Sequence, residues 1–218
     1  MTASKKDVAY DYLRKKIVYC ELKPGDVIDD KSIANELGFS RTPVREAINK
    51  LGEEKMVQSF ARRGIIVSPV SLHDLNDMLE ARMLVEPFII RKAIAKVDRE
   101  TLEEFRASLK PSTWDSASPD WLHDDSDYRF HMYFTKVAGN SFITTMMDSL
   151  LMLSQRTRFM LSLEADRIKQ TYIEHMDIID CVEAKDEEGA AQAIQLHLAN
   201  SGAAYQAVYQ ENVNLLLD

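Results

Sequence analysis

The sequence predicts a mainly α-helical protein in two parts. Residues 1–70 read as a winged helix-turn-helix with a small β-hairpin wing, and 71–218 as an all-helical bundle of about six helices. Three observations predict this. Apolar residues recur at helical spacing along nearly the whole chain, and the one stretch with a period near two, Met56–Val67, follows a run of short helical patterns. Charge divides at the same place: residues 1–70 carry 13 Lys+Arg against 10 Asp+Glu, whereas 71–218 carry 14 against 25, so the overall −8 hides a basic N-terminal part. A basic unit joined to an acidic one suits DNA contact at one end and exclusion of DNA from the other.

In chain order, Lys5 to Cys20 reads as a first helix with Val8, Tyr12, Leu13, Ile17 and Cys20 on one face. Lys23-Pro24-Gly25-Asp26 supplies turn chemistry. Asp29 or Asp30 caps a short second helix, with Ile33, Ala34 and Leu37 inward and Gly38 at the left-handed C-terminal position. In the third helix, Thr42 followed by Pro43 fits an N-cap hydroxyl and a proline at the first helical position, with Ser40 as the competing cap. Val44, Ala47, Ile48 and Leu51 form its buried face, which leaves Arg41, Thr42 and Arg45 exposed at the end that helix-turn-helix proteins point at base edges. An arginine fork matches the O6 and N7 acceptors of guanine. The plain alternative is an amphipathic surface helix whose arginines are solvated or paired with Glu46. Met56–Phe60, Ala61-Arg62-Arg63-Gly64 and Ile65–Val67 then read as a hairpin whose tip holds two arginines and a turn glycine, placed to touch phosphate or the minor groove.

From Leu72 on, only helical patterns appear. Leu75, Met78, Leu79, Arg82, Met83, Glu86 and Ile90 line one long helix interrupted or bent near Pro87, and Leu102, Phe105, Arg106 and Leu109 align in a second over Arg99–Leu109. Lys110–Asp120 reads as a loop, and helices follow through Trp121–Ala138, Ser141–Leu163, Glu164–Lys185 and from Glu187 onward. Cys20 and Cys181 are far apart with no paired motif, which suits a reducing compartment. No segment approaches the ~18 apolar residues of a membrane span, so the expectation is a soluble cytoplasmic protein with no membrane partner.

Three of the five histidines fall where histidine is unexpected. His175 shares a face with Tyr172, Met176, Ile179 and Val182, and His197 with Ala193, Ile194 and Leu198, so both point inward. His131 follows Asp127 by four residues, about 40° around the helix, so carboxylate and imidazole can grip one ion. Three imidazoles and a carboxylate make a mixed nitrogen and oxygen set suited to Zn²⁺, Ni²⁺, Mn²⁺ or Fe²⁺. The bland alternative for each is a hydrogen-bonded core histidine. His73 and His123 read as solvated.

Residues 5–70 resemble the winged-helix domain of the GntR family of bacterial transcription regulators. Ser40-Arg41-Thr42-Pro43-Val44-Arg45-Glu46-Ala47 is close to that family's signature, and Arg63-Gly64 falls where its wing tip lies. The resemblance implies Lys31, Arg41, Thr42, Arg45, Arg63 and Gly64 as DNA contacts, with Arg62 beside them at the tip. One departure stands out: where the family has a glycine just after the recognition helix this chain has Lys55, and a glycine comes earlier, at Gly52. Glycine weakens a helix interior, so the helix is expected to end early or to pack closely there.

Residues 72–210 are similar to the FCD ligand-sensing domain of the FadR subfamily of these regulators, through Glu80-Ala81-Arg82, Asp127-Tyr128-Arg129-Phe130-His131, Ala138-Gly139-Asn140, Glu174-His175 and His197-Leu198. In its metal-binding members the positions of Asp127, His131, His175 and His197 hold the ion, the same four residues that the helix faces select. The resemblance implies a homodimeric repressor on a palindromic double-stranded operator. Its effector would be a small organic acid that reaches the metal and is clamped by an arginine, Arg82 first and Arg156 or Arg158 behind it. The rival reading is a helical metal-dependent hydrolase. Against an enzyme stand the lack of a His-Glu-x-x-His motif and the winged helix, which has no place in hydrolysis. A helical scaffold protein is the third reading.

Overall fold

The computed structural model describes residues 4–61, 63–110, 125–161 and 165–211. They form two compact units, Met1–Val70 and Ser71–Asp218.

In the first unit, α1 (Lys5–Val18) opens with a reciprocal capping box between Ser4 and Asp7. Its inward face is Ala9, Tyr10, Leu13, Ile17 and Val18, rotated from the expected one, since Val8 is exposed and Tyr12 only half-buried. Asp29 caps α2 (Asp30–Leu37) by accepting from the Lys31 N–H, and Gly38 closes it at φ 66°. That settles the choice between the two aspartates and leaves Asp30, itself buried, for another task.

Helix α3 (Arg41–Glu53) buries Val44, Ala47, Ile48 and Leu51, as their spacing predicts. Its N-cap is Ser40 rather than Thr42, and the Ser40 hydroxyl makes no capping bond. Thr42 and Pro43 are thus the second and third helical residues. Proline is tolerated there because the first turn's N–H groups have no intrahelical acceptor. The helix continues through Gly52, where a Cβ would meet nothing closer than Val57 at 4.0 Å, so neither the early end nor the close packing occurs. Lys55 takes the left-handed conformation at φ 58°, its N–H bonding Gly52 O while the Met56 N–H bonds Leu51 O. Glycine fits that conformation without a Cβ penalty. Gly52→Ala and Lys55→Gly are therefore each expected to stabilise the first unit by about 0.5–1 kcal/mol, read as a rise in the thermal midpoint.

The hairpin consists of β2 (Val57–Phe60) and β3 (Gly64–Val67), paired antiparallel with Phe60 opposite Gly64. A two-residue strand, β1 (Val27–Ile28), adds to the other edge of β3, giving the order β1-β3-β2. Two residues carry no readable periodicity, which is why sequence alone misses this strand.

In the second unit, a Ser71–Asp74 capping box starts α4 (Leu72–Ala93), which runs unbroken past Pro87 into a 3-10 turn at Ile94–Lys96. The expected interruption does not occur, and Met83 faces out rather than in. Then come α5 (Arg99–Ser108), α6 (Ser126–Ala138), α7 (Ser141–Leu161), α8 (Ala165–Glu183) and α9 (Glu187–Glu211). The expected 110–120 loop beyond Lys110, the start of the 121–138 helix with His123, and the 162–164 junction lie outside the described residues.

Helix α4 packs on α9, α6 and α7, and α8 packs on α9 and α5. Ile89, Ile90, Leu102, Phe130, Met147, Ile178, Ile179 and Ile194 lie in the shared core, with Phe105 edge-on to Phe130. Gly202 brings α9 close to α4, since a Cβ there would stand 3.0 Å from Leu79. No described helix is long and apolar enough to cross a membrane.

Candidate metal centre and nucleic-acid interface

Three helices bring the four expected ligands together. Asp127 and His131 come from one face of α6, His175 from α8 and His197 from α9, and their ligand atoms all lie within 4.8 Å of one another. The three imidazoles are buried, and Phe130 packs against two of them, with ring centroids 5.4 Å from His131 and 4.7 Å from His175. Asp127 Oδ1 stands 3.9 Å from His131 Nε2 and 3.5 Å from His175 Nε2. Both nitrogens are buried without a hydrogen-bond partner among the described residues. Leaving a buried polar atom unpaired costs about 1–3 kcal/mol, and here two such atoms face the same carboxylate. A divalent cation would satisfy all three at once.

The far sides of two imidazoles are held by carboxylates that sequence reasoning did not place in the site. Glu86 of α4 bonds His131 Nδ1 at 2.6 Å, and Glu174 of α8 bonds His197 Nδ1 at 2.9 Å. Each bond turns the ring's Nε2 toward the cluster, the arrangement that orients histidine ligands to metals. Both carboxylates are themselves anchored. Glu86 accepts from Arg82 Nε at 2.5 Å, and Arg82 Nη1 donates to Ser154 at 2.8 Å. Glu174 accepts a two-bond fork from Arg167 at 2.9 and 3.0 Å and a bond from Asn200 at 2.7 Å. The available signal for Glu86 was its place four residues after Arg82 on an apolar face. For Glu174 it was the seven-residue offset from Arg167, two helical turns on one face.

Electrostatics favour a cation. Burial would push the Glu86 carboxyl up, but the Arg82 charge and His131 outweigh it and hold its pKa at about 2. Burial likewise opposes ionisation of Glu174, and hydrogen bonds from His197, Arg167 and Asn200 hold it at about 2. Asp127 lies far below the usual carboxylate range: Arg158 and the three histidines overcome its burial. Burial lowers His175 well below the ordinary histidine value and His197 less so, which keeps these rings neutral with a lone pair to offer.

Of the three arginines expected near an effector, Arg82 is buried, with Nη2 lacking a hydrogen-bond partner among the described residues. Arg158 lies close enough to Asp127 and His175 to shift both, and Arg156 is buried on the same helix, α7. Gln155 is a further buried donor there, its Nε2 without a partner among the described residues and next in sequence to Ser154.

In the first unit, Arg41 and Arg45 lie one turn apart at the start of α3, their side chains 52% and 61% exposed. Both reach Asp30 at the start of α2. Burial opposes Asp30's ionisation, but bonds from Arg45 and Arg41 hold its pKa below the ordinary value. Thr42 is exposed beside them, and Lys31 is exposed next to Asp30. Arg63 is exposed at the hairpin tip, with Gly64 at φ 78°. Arg62 lies outside the described residues.

Comparison with known proteins follows the same division. Residues 5–67 match the family of bacterial regulatory proteins, gntR family, and residues 77–200 match the FCD domain. The chain is 24% identical over 205 residues to the HTH-type transcriptional repressor RspR of Escherichia coli, covering 93% of this chain and 90% of that one. It is 29% identical over 184 residues to the gluconate operon transcriptional repressor of Bacillus subtilis, covering 79% and 70%. Among solved structures, E. coli McbR/YncC superposes with a TM-score of 0.82 at 19% identity, over 96% of this chain and 99% of that one. A putative GntR transcriptional regulator from Rhodococcus sp. RHA1 gives a TM-score of 0.82 at 22% identity, over 95% and 100%. With a winged helix-turn-helix in its first unit and an FCD domain spanning most of its second, the chain belongs to the GntR family of bacterial regulatory proteins and is a DNA-binding transcription regulator.

Proposed function

We propose that this regulator is a metal-binding repressor that acts in the cytoplasm as a homodimer on a palindromic operator and is controlled by a small carboxylate. Residues 1–70 bind DNA, and 71–218 bind metal and effector and dimerise, an organisation that fits the FadR subfamily. The observation that carries the metal reading is the pair of unpartnered, buried Nε2 atoms of His131 and His175 facing Asp127. Asp127, His131, His175 and His197 would hold Zn²⁺, Ni²⁺, Mn²⁺ or Fe²⁺. Such an ion supplies positive charge with coordination positions beyond the four protein ligands.

The chain's own residues supply the rest. Arg82 Nη2 and Gln155 Nε2 are buried donors available to an incoming carboxylate, and Arg158 adds charge close to Asp127. Because Arg82 also holds Glu86, and Glu86 orients His131, an acid bound by Arg82 acts on the metal site and on α4 together. One relative is named for a gluconate operon, and gluconate is itself a carboxylate. The regulators among the relatives favour this reading over a helical hydrolase.

DNA contacts are assigned to Lys31, Arg41, Thr42 and Arg45 at the helix-turn-helix and to Arg62, Arg63 and Gly64 at the wing tip. The test is a gel-shift assay of the full chain on duplexes selected from a random pool, before and after chelation and with a panel of small mono- and dicarboxylic acids. A selected duplex with two half-sites, whose retention falls when metal is present and one acid is added, is the expected result. No sequence preference under any condition overturns the regulator mechanism; preference indifferent to chelator and to every acid overturns the metal and effector part.

A further inference from the structure

Helix α4 buries one face in the second unit and leaves the opposite face open to water. On that outer face Leu84 is 72% exposed and Phe88, one turn on, is 51% exposed, with Met83 beside them. Large apolar side chains grouped on one exposed face mark a contact surface, whereas single scattered ones do not.

The charges along α4 say what the contact is. From Leu72 to Ala81 every formally charged residue is acidic (Asp74, Asp77 and Glu80), and from Pro87 to Lys96 every one is basic (Arg91, Lys92 and Lys96). Three of these have tasks within the chain: Asp74 closes the capping box, Asp77 stands 3.3 Å from His73, and Arg91 holds Glu188. Glu80 and Lys92 are exposed, and neither makes an ion pair among the described residues. The helix dipole favours a cation in the last turn, which accounts for Lys92, but its influence fades within a turn and does not reach Glu80. A second, reversed copy of the helix accounts for both. Counted from the level of Glu86, Leu84 and Phe88 stand two residues to either side, and Glu80 and Lys92 six. An identical helix laid antiparallel, with a two-fold axis at that level, sets Leu84 against Phe88 and Glu80 against Lys92, each contact made twice. Laid parallel, the same face would set Glu80 against Glu80 and Lys92 against Lys92.

Building on the homodimer reading, we infer that the outer face of α4 is the centre of the dimer interface, on which a second copy of this chain lays its own α4 antiparallel. Leu84 and Phe88 form the apolar middle, and Glu80 with Lys92 closes each end. Glu86, at the level of the axis, turns inward to His131, so the helix that joins the two copies also backs the proposed metal site. Helix α4 is also the first of its unit, close after Val70, so the two chains are joined near the point where each DNA-binding unit ends.

The test measures dimer dissociation of the full chain by sedimentation over a range of concentrations. Leu84→Glu should weaken dimerisation by about tenfold or more, because it places two carboxylates in the apolar middle. The exposure of Leu84 makes an unchanged circular dichroism spectrum and thermal unfolding of the monomer the check on folding. Glu80→Lys and Lys92→Glu should each weaken the dimer by about tenfold, since each sets like charges together twice. An equimolar mixture of those two variants should recover wild-type affinity as a heterodimer, because every Lys then meets a Glu. These charge effects should fade in 1 M salt, where the screening length is about 3 Å. A dimer indifferent to Leu84→Glu overturns the inference and leaves the homodimer reading standing on another face, such as that of Phe142 and Met146 on α7, where Phe142→Glu would then dissociate it. Weakening by Leu84→Glu with no recovery in the mixture also overturns it, because the reversed pairing is then absent. A wild-type chain that stays monomeric at every concentration overturns both the inference and the homodimer reading.

Discussion

Glu86→Ala is expected to destabilise the helical unit by about 3–5 kcal/mol, measured by urea denaturation, because it strands a buried guanidinium. Arg82 and Glu86 are both nearly inaccessible to water, and Arg82's other bonded partner is a neutral hydroxyl on Ser154. Without Glu86, His131 also loses the acceptor that orients it. A marginally stable domain has about 5–15 kcal/mol in total, so this single change removes a large share. Replacing both partners with apolar residues of similar size, Arg82→Met with Glu86→Leu, is expected to recover most of the loss, since neither charge then remains buried alone. A loss below about 1 kcal/mol for Glu86→Ala would mean that water reaches Arg82, contrary to its burial.

Metal should act on stability nearly as strongly. An ion that binds only the folded state stabilises it by about 2.7 kcal/mol at a free concentration one hundred times its dissociation constant. For a unit of this size that corresponds to a rise in thermal midpoint of about 5–10 °C, reversed by chelator. Asp127→Asn should abolish most of the rise, because it removes the charged ligand and leaves the buried imidazoles without their anion. Glu174→Gln, one step further out, should weaken metal affinity by about 10–100-fold and move the midpoint less at a fixed metal concentration.

Helix positions were legible in the sequence because period and capping are local. Gly38 marked a boundary that the structure keeps, and the inward faces of His175 and His197 followed from their neighbours. What the sequence hid was pairing across elements. Glu86 looked like one more polar position on a long helix until α6 brought His131 to it, and Asp30 looked like a spare cap until α3 brought two arginines. The two-residue β1 strand was invisible for the same reason: only its partner β3 defines it. At Pro87 a local rule predicted a break or a bend; of the two, the break does not occur, and α4 runs through the proline packed against α6, α7 and α9.

The central claim is that Asp127, His131, His175 and His197 form one metal site. It is tested most directly by elemental analysis and calorimetric titration of chelator-treated protein with Zn²⁺, Ni²⁺, Mn²⁺ and Fe²⁺, comparing the wild type with Asp127→Ala/His175→Ala. One tightly bound ion per wild-type chain and none in the folded double variant is the expected result. No ion bound by the wild type, or an equal amount in the variant, would contradict it.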